Sequence, residues 1–365
     1  MKVALVYDRI NKWGGAERVL LALHKIFPDA PLFTSVYNPK KAKWAKVFSV
    51  KTSFLQKIPN AKSSHELLGT LMPLAFENLR FDDYDLVISV TSEAAKGIVT
   101  KPQTTHICYC LTPTRYLWSG YEIYFKNNFL RFLAKPAVSY LKKWEIVSSS
   151  RPDKYIAISN EVKKRIKKYY GFESSVIYPP VNIPKIKPAK ENKGKYFLVV
   201  SRLTPYKRVD LAIKACNRLN LPLKIIGTGY QLRRLKLIAG PTIKFLGEVS
   251  EKKLKYYYEN CKALIFPGVE DFGLTMVEAQ SYGKPVIAFS GGGAKEIVKK
   301  GETGEFFNRQ EEKSLVDVLK NFDVCRYNSL SCYKNSQRFS FEKFRKSLKE
   351  FLDENLSYTE HESVT

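Results

Sequence analysis

The sequence contains few cysteines and few histidines for its length. Among 365 residues there are six cysteines and four histidines. No Cys-x-x-Cys pair occurs, and no histidine lies at ligand spacing from a cysteine. This pattern excludes a disulfide-stabilised scaffold and a cysteine-based zinc site. We therefore expect reduced, mostly buried thiols, as in cytoplasmic proteins.

Long apolar runs are also missing. The opening segment 1–7 is largely apolar, but Asp8 and Arg9 interrupt it. It is too short for a signal peptide, and no later segment reaches membrane-spanning length. The expectation is a cytoplasmic protein without a transmembrane helix.

Acidic residues are scarce relative to basic ones. Asp and Glu number 35 against 61 Lys and Arg, which gives a formal net charge of +26. Such an excess indicates an anionic partner, which is a nucleic acid, an anionic lipid surface or a phosphorylated small molecule. Because the sequence has no zinc finger, RNP aromatic signature or KH-type loop, no nucleic acid is expected among its partners.

Residues 125–144 are the candidate for contact with a membrane surface. The segment contains no acid, and its aromatic residues recur at three- and four-residue spacing. Two interpretations remain open. The segment lies in an anionic headgroup layer as a peripheral helix, or its aromatics are core, its lysines face solvent and Pro136 interrupts the helix. The aromatic residues are Phe125, Phe129, Phe132, Tyr140 and Trp144, and the cations are Lys126, Arg131, Lys135, Lys142 and Lys143.

Short β-rich runs alternate with helical patterns along the chain, which predicts an α/β fold with parallel sheets wrapped by helices. The predicted strands are 2–8, 31–37, 85–92, 105–111 and 153–159, then 196–201, 223–226, 243–246, 263–266 and 286–289. The predicted helices include 16–27, 161–170, 210–219, 231–239, 251–261, 275–282 and 341–352.

A proline- and lysine-rich stretch, residues 179–195, separates the two sets of strands and predicts a linker. The expected organisation is therefore two doubly wound, Rossmann-like domains, 1–181 and 182–335, followed by a helix in 336–355 and a flexible acidic tail, 356–365. In such sheets ligands bind beyond the carboxyl ends of the strands. Two domains that face each other would make this region an interdomain cleft.

The strand-to-helix junction between Glu270 and Glu278 carries the most informative motif. A helix that begins near Gly273 points its unpaired backbone N–H groups beyond the strand, where phosphate commonly binds. Because carboxylates repel phosphate, the two glutamates are expected to bind neutral hydroxyl groups on either side, such as those of a sugar and a ribose. The alternative is a pair of solvated acids at a helix end. The full motif reads Glu270-Asp271-Phe272-Gly273-Leu274-Thr275-Met276-Val277-Glu278.

Two junctions in the first half carry further candidates. Gly14 and Gly15 precede a predicted helix and allow a ligand to approach the backbone closely. Arg115 follows the fourth predicted strand and is suited to grip an anion. His106, on that strand, is either a hydrogen-bond donor to a ligand or a satisfied core residue.

Two junctions in the second half are suited to a nucleotide. Arg202 and Lys207 follow the first strand of this half, and two cations at this spacing fit a pyrophosphate. Gly227 and Gly229 end the next strand in a short glycine turn that can admit a base or a phosphate. The turn is too brief for a Rossmann fingerprint.

Together these motifs resemble the retaining glycosyltransferases of family 4 in the carbohydrate-enzyme classification, which have the GT-B fold, and the resemblance spans nearly the whole chain. Residues 106–110, followed by Thr112-Pro113 and Arg115-Tyr116, are similar to the mannosyltransferase branch of O-antigen and surface polysaccharide synthesis. The other matching motifs are Gly14-Gly15-Ala16-Glu17, Ser159-Asn160, Tyr178-Pro179-Pro180-Val181, Ser201-Arg202-Leu203 with Tyr206-Lys207, Gly227-Thr228-Gly229 and 270–278.

The resemblance implies a transferase that moves mannose from GDP-mannose to a glycan or polyprenyl-linked acceptor. It implies that the first domain binds the acceptor, that the second binds the nucleotide sugar, and that the C-terminal helix returns to the first domain. Arg202 and Lys207 would bind the donor diphosphate, Glu278 the ribose and Glu270 the transferred sugar, with His106 near that sugar. The catalytic set is Glu270, His106, Arg202 and Lys207. The remaining donor-site residues are Gly14, Gly15, Arg115, Gly227, Gly229, Phe272, Gly273, Leu274, Thr275 and Glu278.

No cofactor is expected besides the donor. Because no Asp-x-Asp motif follows a predicted strand, we predict a metal-independent reaction in which Arg202, Lys207 and a helix N-terminus stabilise the leaving diphosphate. Retention is described in such enzymes as a same-face displacement, and Glu270 as a covalent nucleophile is the alternative. A UDP-sugar-dependent family 4 transferase, a nucleotide-sugar epimerase and an anionic-polymer-binding protein remain as other functions.

Overall fold

The computed structural model describes residues 1–59, 61, 65–124, 128–188 and 194–356. The chain divides into two compact units. The first contains Met1–Pro180 and the residues from Phe344 onward, and the second contains Val181–Lys343. Each unit is built around one parallel sheet. The domain limits inferred from the sequence stay a prediction.

The first unit contains a seven-stranded sheet in the order β3-β2-β1-β4-β5-β6-β7. All neighbouring strands are parallel, and Leu5 on the first strand of the chain pairs with Leu32 on one side and Ile88 on the other. The order reverses between β1 and β4, which is where doubly wound sheets bind ligands. The strands are β1 (Val3–Tyr7), β2 (Leu32–Thr34), β3 (Val50–Thr52), β4 (Leu86–Thr91), β5 (Thr105–Cys110), β6 (Lys154–Ala157) and β7 (Ser175–Val176).

The first helix of this unit is amphipathic and buries Val19, Leu20 and Leu23 at helical spacing. Ser159 caps another helix by accepting a hydrogen bond from the Val162 N–H. The helices are α1 (Gly15–Ile26), α2 (Met72–Glu77), α3 (Tyr121–Tyr124), α4 (Asn128–Ser148) and α5 (Asn160–Tyr170), joined by the C-terminal helix from Phe344 onward.

The second unit contains a six-stranded parallel sheet in the order β10-β9-β8-β11-β12-β13, and its order reverses between β8 and β11. Its strands are β8 (Tyr196–Val200), β9 (Leu223–Ile226), β10 (Ile243–Gly247), β11 (Cys261–Phe266), β12 (Val286–Phe289) and β13 (Gly304–Phe307). Its helices are α6 (Val209–Arg218), α7 (Leu232–Leu237), α8 (Glu251–Glu259), α9 (Leu274–Ser281), α10 (Ala294–Ile297), α11 (Glu312–Lys320) and α12 (Ser329–Ser336), and α13 (Phe341–Leu356) begins here.

The core of the second unit follows from strands that are apolar on both faces, as expected when helices cover a parallel sheet on each side. On one face Phe197 and Val199 pack with Ile213 of α6 and Leu315 of α11. Five of the six cysteines are buried and none forms a disulfide, in agreement with the sequence.

Three local predictions need correction. Helix α4 runs through Pro136 without interruption. A proline removes the hydrogen bond to the carbonyl group four residues earlier, at Phe132, which lies on a highly exposed part of the helix, so water can hydrate that group. Helix α8 ends at Glu259 and β11 begins at Cys261, two residues earlier than predicted. The short strands β3, β7 and β13 were missed because periodicity is weak over two to four residues.

In the described part of the chain, no helix combines the length and the apolar character needed to cross a bilayer.

Candidate active site

The carboxyl edge of the second sheet carries most of the predicted site residues. Strands β8 and β11 are neighbours at the point where the strand order reverses. The loop after β8 carries Arg202 and Lys207, and the loop after β11 carries Glu270. The topology therefore brings the two loops together, although Glu270 lies more than sixty residues after Arg202 and Lys207 along the chain.

Lys207 and Glu270 form a direct ion pair between Nζ and Oε1. The side chains are 10% and 24% exposed, respectively, so water screens the pair only in part. Lys207 ends a 3₁₀ turn, and Arg208, in the left-handed region at φ 51°, then starts α6. Because the carboxylate already neutralises this ammonium group, a bound diphosphate would compete with Glu270 for it.

Arg202 lies on the same loop and is exposed. Its Nη2 donates a hydrogen bond to the Tyr206 hydroxyl, 3.0 Å away. The Lys207 ammonium group lies 5.1 Å from the centre of the Tyr206 ring. Tyr206 thus contacts both cations, and an exposed guanidinium group beside a largely buried ammonium group is a suitable arrangement for an anion with two phosphates.

The Gly227–Gly229 turn packs against the same loop. The Leu203 N–H donates to the Thr228 carbonyl oxygen at 2.8 Å. Gly227 has φ 131°, and a Cβ atom there would overlap the Ser201 carbonyl oxygen. A Cβ on Gly229 would likewise overlap the Leu203 carbonyl oxygen. Both glycines are therefore required by backbone packing, a reason that the sequence did not reveal.

Helix α9 begins directly after Gly273, which has φ 105°. Leu274 and Thr275 form the first turn and are half-buried, and the first-turn N–H groups of a helix have no partner within it. The ring of Phe272 is buried and lies 5.4 Å from that of Phe339 in an edge-on contact. Of these predicted site residues, Phe272 therefore contributes packing through its side chain, whereas Leu274 and Thr275 sit at the helix terminus.

Glu278 lies one turn further along α9 and is 8% exposed. Its Oε2 accepts a hydrogen bond from the Tyr258 hydroxyl at 2.7 Å. Tyr258 belongs to α8, and sequence analysis did not single it out. A tyrosine is common in amphipathic helices, so no sequence signal distinguished it.

A second element that sequence analysis missed is the loop Gly291–Gly293 after β12. The Gly293 N–H donates to the Glu270 carbonyl oxygen at 2.9 Å, and a Cβ atom on Gly292 would overlap the same oxygen. This loop therefore fixes the backbone of Glu270. Three consecutive glycines directly after a predicted strand were the available signal.

The remaining predicted residues belong to the first unit. Gly14 precedes α1 with an extended backbone, φ −179°, so this conformation does not require glycine. A Cβ atom there would lie 3.1 Å from Oε2 of Glu17, whose other carboxylate oxygen accepts the Tyr7 hydroxyl at 2.7 Å. Gly15 is the first residue of α1, and Arg115 lies in the loop after β5, partly exposed. These residues follow the carboxyl ends of β1 and β5.

His106 does not lie at that edge. It is the second residue of β5 and has no exposed surface. Its Nε2 is 2.8 Å from the Ser89 Oγ. Burial, with a further contribution from the positive charge of Arg151, lowers the pKa of His106 to about 3. The structure therefore favours the core alternative over the position near the sugar, because the side chain is fully buried and contacts Ser89.

At the carboxyl edge of the first sheet, Asp8 is a polar residue that the motifs did not reveal. Its two carboxylate oxygens accept hydrogen bonds from the Thr91 hydroxyl at 2.8 Å, the Ser92 N–H at 2.8 Å and the Ala95 N–H at 2.9 Å. The neighbouring Arg9 forms an ion pair with Glu93. These contacts join the ends of β1 and β4. From the sequence, Asp8 was recognised only as the residue that ends an apolar run.

No group of three or more potential metal-ligating side chains occurs within the described residues. The metal independence of the reaction stays a prediction.

The comparisons with known proteins concern the family and the fold. Residues 182–337 match the family model described as glycosyl transferases group 1. The chain is 27% identical over 207 residues to an uncharacterized glycosyltransferase of Methanocaldococcus jannaschii, covering 54% of this chain and 58% of the relative. It is also 27% identical over 251 residues to the O-antigen chain mannosyltransferase RfbU of Salmonella typhimurium, covering 64% and 66%. The chain thus spans about three fifths to two thirds of the length of these relatives.

A likeness to solved structures extends over the whole fold. The structure of the Anabaena protein HepE in complex with UDP-glucose matches 97% of this chain and 100% of its own, with a TM-score of 0.72 and 19% identity. The predicted GT-B fold is therefore confirmed, and the similarity to the group 1 glycosyl transferases lies in residues 182–337.

Proposed function

We propose that this protein is a retaining glycosyltransferase that uses a nucleoside diphosphate sugar as donor. The observation that carries the proposal is the cluster at the carboxyl edge of the group 1 domain. There, Lys207 contacts Glu270, and Arg202 lies on the same loop as Lys207. Cations for a diphosphate and a carboxylate for sugar hydroxyl groups are the two chemistries that such a donor requires.

The proposed mechanism depends on fixed charge. Breaking the anomeric C–O bond develops positive charge on the sugar and negative charge on the leaving diphosphate. Once the diphosphate has replaced Glu270 at Lys207, this lysine, Arg202 and the N-terminus of α9 supply the opposite charge to the leaving group. Glu270, released from Lys207 by the diphosphate, then binds hydroxyl groups of the sugar, and the leaving phosphate accepts the proton of the acceptor hydroxyl.

The proposed donor is GDP-mannose. The mannosyltransferase relative and the resemblance of residues 106–116 to the same branch support this choice. A UDP-sugar is the second candidate, because the structural neighbour HepE was solved with UDP-glucose.

A thermal-shift panel tests the donor directly, since a ligand that binds only the folded state raises its stability by mass action. The panel contains GDP, UDP, ADP, GDP-mannose and UDP-glucose, each with magnesium and with EDTA. We expect a shift with GDP and GDP-mannose that is equal in magnesium and in EDTA. A shift confined to UDP compounds would show that the donor is a UDP-sugar and not GDP-mannose. A shift lost in EDTA would refute metal independence. No shift with any nucleotide would refute the proposed activity.

The proposed acceptor is a glycan or polyprenyl-linked glycan of cell-surface polysaccharide synthesis, reached by a cytoplasmic enzyme at the inner membrane face. The outward side of α4 supports this location. Its apolar residues follow one another at helical spacing, and the exposed Lys135 and Lys143 lie among them. The apolar residues with their exposed fractions are Phe129 (68%), Phe132 (73%), Leu133 (59%), Tyr140 (48%) and Val147 (62%).

The opposite side of α4 is part of the core. Val138, Leu141 and Glu145 are buried, and the Trp144 Nε1–H donates to Glu77 at 2.7 Å. Phe125 and Lys126 lie outside the described residues. The two interpretations of segment 125–144 thus apply to different faces of one helix, and the apolar outward face with its cations is suited to an anionic headgroup layer.

Vesicle flotation tests this surface. The variant F132S/L133S/K135Q/K143Q is compared with K214Q/K313Q, which removes two exposed lysines of the second unit. We expect the first variant to bind phosphatidylglycerol vesicles at least about tenfold more weakly, at roughly 1 kcal/mol per lysine near an anionic surface. The control should bind as wild type. An equal loss of vesicle binding in both variants would show that binding depends only on net charge. No loss in either variant would show that α4 does not contact the membrane.

A further inference from the structure

Tyr258 is buried in the last turn of α8 and contacts a predicted donor residue. It is 1% exposed, and its hydroxyl donates to the Glu278 Oε2 at 2.7 Å. Its ring stacks on that of Tyr282, with centroids 5.6 Å apart and planes 9° apart. This hydrogen bond therefore joins the helix that precedes β11 in the chain to the helix that follows it. Stacking on Tyr282 leaves the phenol ring little freedom to move.

Glu278 needs such a partner because it is itself mostly buried. A carboxylate with 8% exposure has lost most of its hydration, and only hydrogen-bond donors compensate for that loss. A carboxylate also rotates readily about its last torsion. A hydrogen-bond donor that is held in place at Oε2 stops this rotation and defines the direction of both carboxylate oxygens.

We infer that Tyr258 is a positioning residue that orients Glu278 for the ribose hydroxyl groups of the donor nucleotide. The inference rests on the proposed function, which assigns the ribose to Glu278. A hydrogen bond between a hydroxyl group and a carboxylate is directional. Orientation by Tyr258 therefore acts on recognition of the hydroxyl groups and leaves the contribution of the diphosphate unchanged.

Two variants separate orientation from structural support. Tyr258→Phe keeps the stacked ring and removes only the hydroxyl group that donates to Glu278. Glu278→Gln keeps the shape of the side chain and removes its negative charge. Tyr256→Phe is the matched control, since Tyr256 lies on the same helix but is 56% exposed. Thermal unfolding of each variant establishes that it is folded.

The measurement is the dissociation constant for GDP and 2′-deoxy-GDP, and for UDP and 2′-deoxy-UDP, by titration calorimetry. Wild type is expected to prefer the ribonucleotide of its donor base over the deoxy form. In Tyr258→Phe, affinity for the ribonucleotide should fall about five- to tenfold, the value of one net hydrogen bond, while affinity for the deoxy form stays within about twofold. Tyr256→Phe should behave as wild type.

Each other outcome has one meaning. If Tyr258→Phe weakens ribo- and deoxyribonucleotides equally, its role is structural and the inference is overturned. If Glu278→Gln abolishes the ribose preference while Tyr258→Phe retains it, the inference fails and the donor site stands. If Glu278→Gln retains the preference, the ribose assignment fails and the inference with it. Absence of nucleotide binding by wild type would overturn the proposed function as a whole.

Discussion

In the first unit, polar side chains at the carboxyl edge of the sheet bond to one another, whereas the corresponding edge of the second unit is lined by cations and glycines. Asp8 accepts hydrogen bonds from the last residue of β4 and from two backbone N–H groups that follow it, and Arg9 pairs with Glu93. In the second unit, Arg202 is exposed and Lys207 has one carboxylate partner beside it. Both edges occupy the same topological position, so the fold alone does not determine their chemistry.

The comparison suggests a division of roles. An edge whose polar groups satisfy one another is rigid and holds its loops in place. An edge with an exposed guanidinium group, a paired ammonium group and close-packed glycine turns can exchange its internal partners for those of an anionic ligand. We expect mutations at the second edge to affect activity and mutations in the sheet of the first unit to affect stability.

The largest expected effect is on turnover at the second edge. Lys207→Ala should lower kcat by on the order of a hundredfold or more, because a fixed charge that stabilises the leaving diphosphate is lost. The assay measures product formation from the donor identified by the thermal-shift panel. Lys214→Ala, which removes an exposed lysine of α6, is the control. A rate for Lys207→Ala equal to that of the control would contradict the diphosphate assignment.

A substitution in the Gly227–Gly229 turn should lower both the stability of the protein and its affinity for the donor. Gly227→Ala places a Cβ atom against the Ser201 carbonyl oxygen at φ 131°. We expect a loss of about 2–3 kcal/mol in the free energy of unfolding, together with weaker donor binding because the loop that carries Arg202 must move. Gly171→Ala is the control, since φ is 84° and no atom lies within 4 Å of the new Cβ.

The control isolates the backbone contribution. A Cβ atom in the left-handed region costs about 1 kcal/mol, so Gly171→Ala should be milder and leave donor affinity unchanged. Urea unfolding and calorimetry measure the two quantities. If both variants lose stability equally, the overlap with the Ser201 carbonyl oxygen does not contribute to the loss, and the turn is not tightly packed.

A further effect is a pH dependence of the free energy of unfolding, to which His106 of the first unit contributes. The folded pKa of His106 is about 3, below its ordinary value of 6.5. The unfolded chain therefore binds more protons between these values, and stability is lost as pH falls from about 6.5 towards 3, by about 1.4 kcal/mol per pH unit. His106→Gln, which does not titrate, should show a flatter dependence in urea unfolding between pH 4 and 7.

Above pH 7 the two proteins should run parallel, because His106 is neutral in both states. Equal slopes below pH 6 would show that His106 is not buried as described. The pH profile of kcat near neutrality should also lack a contribution from His106, in keeping with its place in the core.

Much of the second unit could be predicted from the sequence. Strands 223–226 and 286–289 were predicted with their observed bounds. The motif around Gly273 correctly predicted a helix start, because a strand that ends in an apolar run and is followed by glycine permits few alternatives. Lys207 and Glu270 were both identified as candidates, although nothing in their spacing revealed that they contact each other.

Contacts between distant segments account for what was missed. Tyr258 and Glu278 lie on different helices, and their hydrogen bond exists only once both pack against β11. Asp8 has a role only because β4 becomes the neighbour of β1. His106 was singled out as a lone strand histidine, and only its burial beside Ser89 distinguished a core residue from a ligand-facing one.

The sequence by itself determined the alternation of strands and helices, the GT-B resemblance and the residue types of the proposed donor site, because these depend on local periodicity, turn chemistry and charge. Only the tertiary structure decided which residues meet, which face of α4 is exposed and why Gly227 and Gly229 must be glycines. Those properties depend on the order of strands in each sheet, which brings together residues that no local pattern connects.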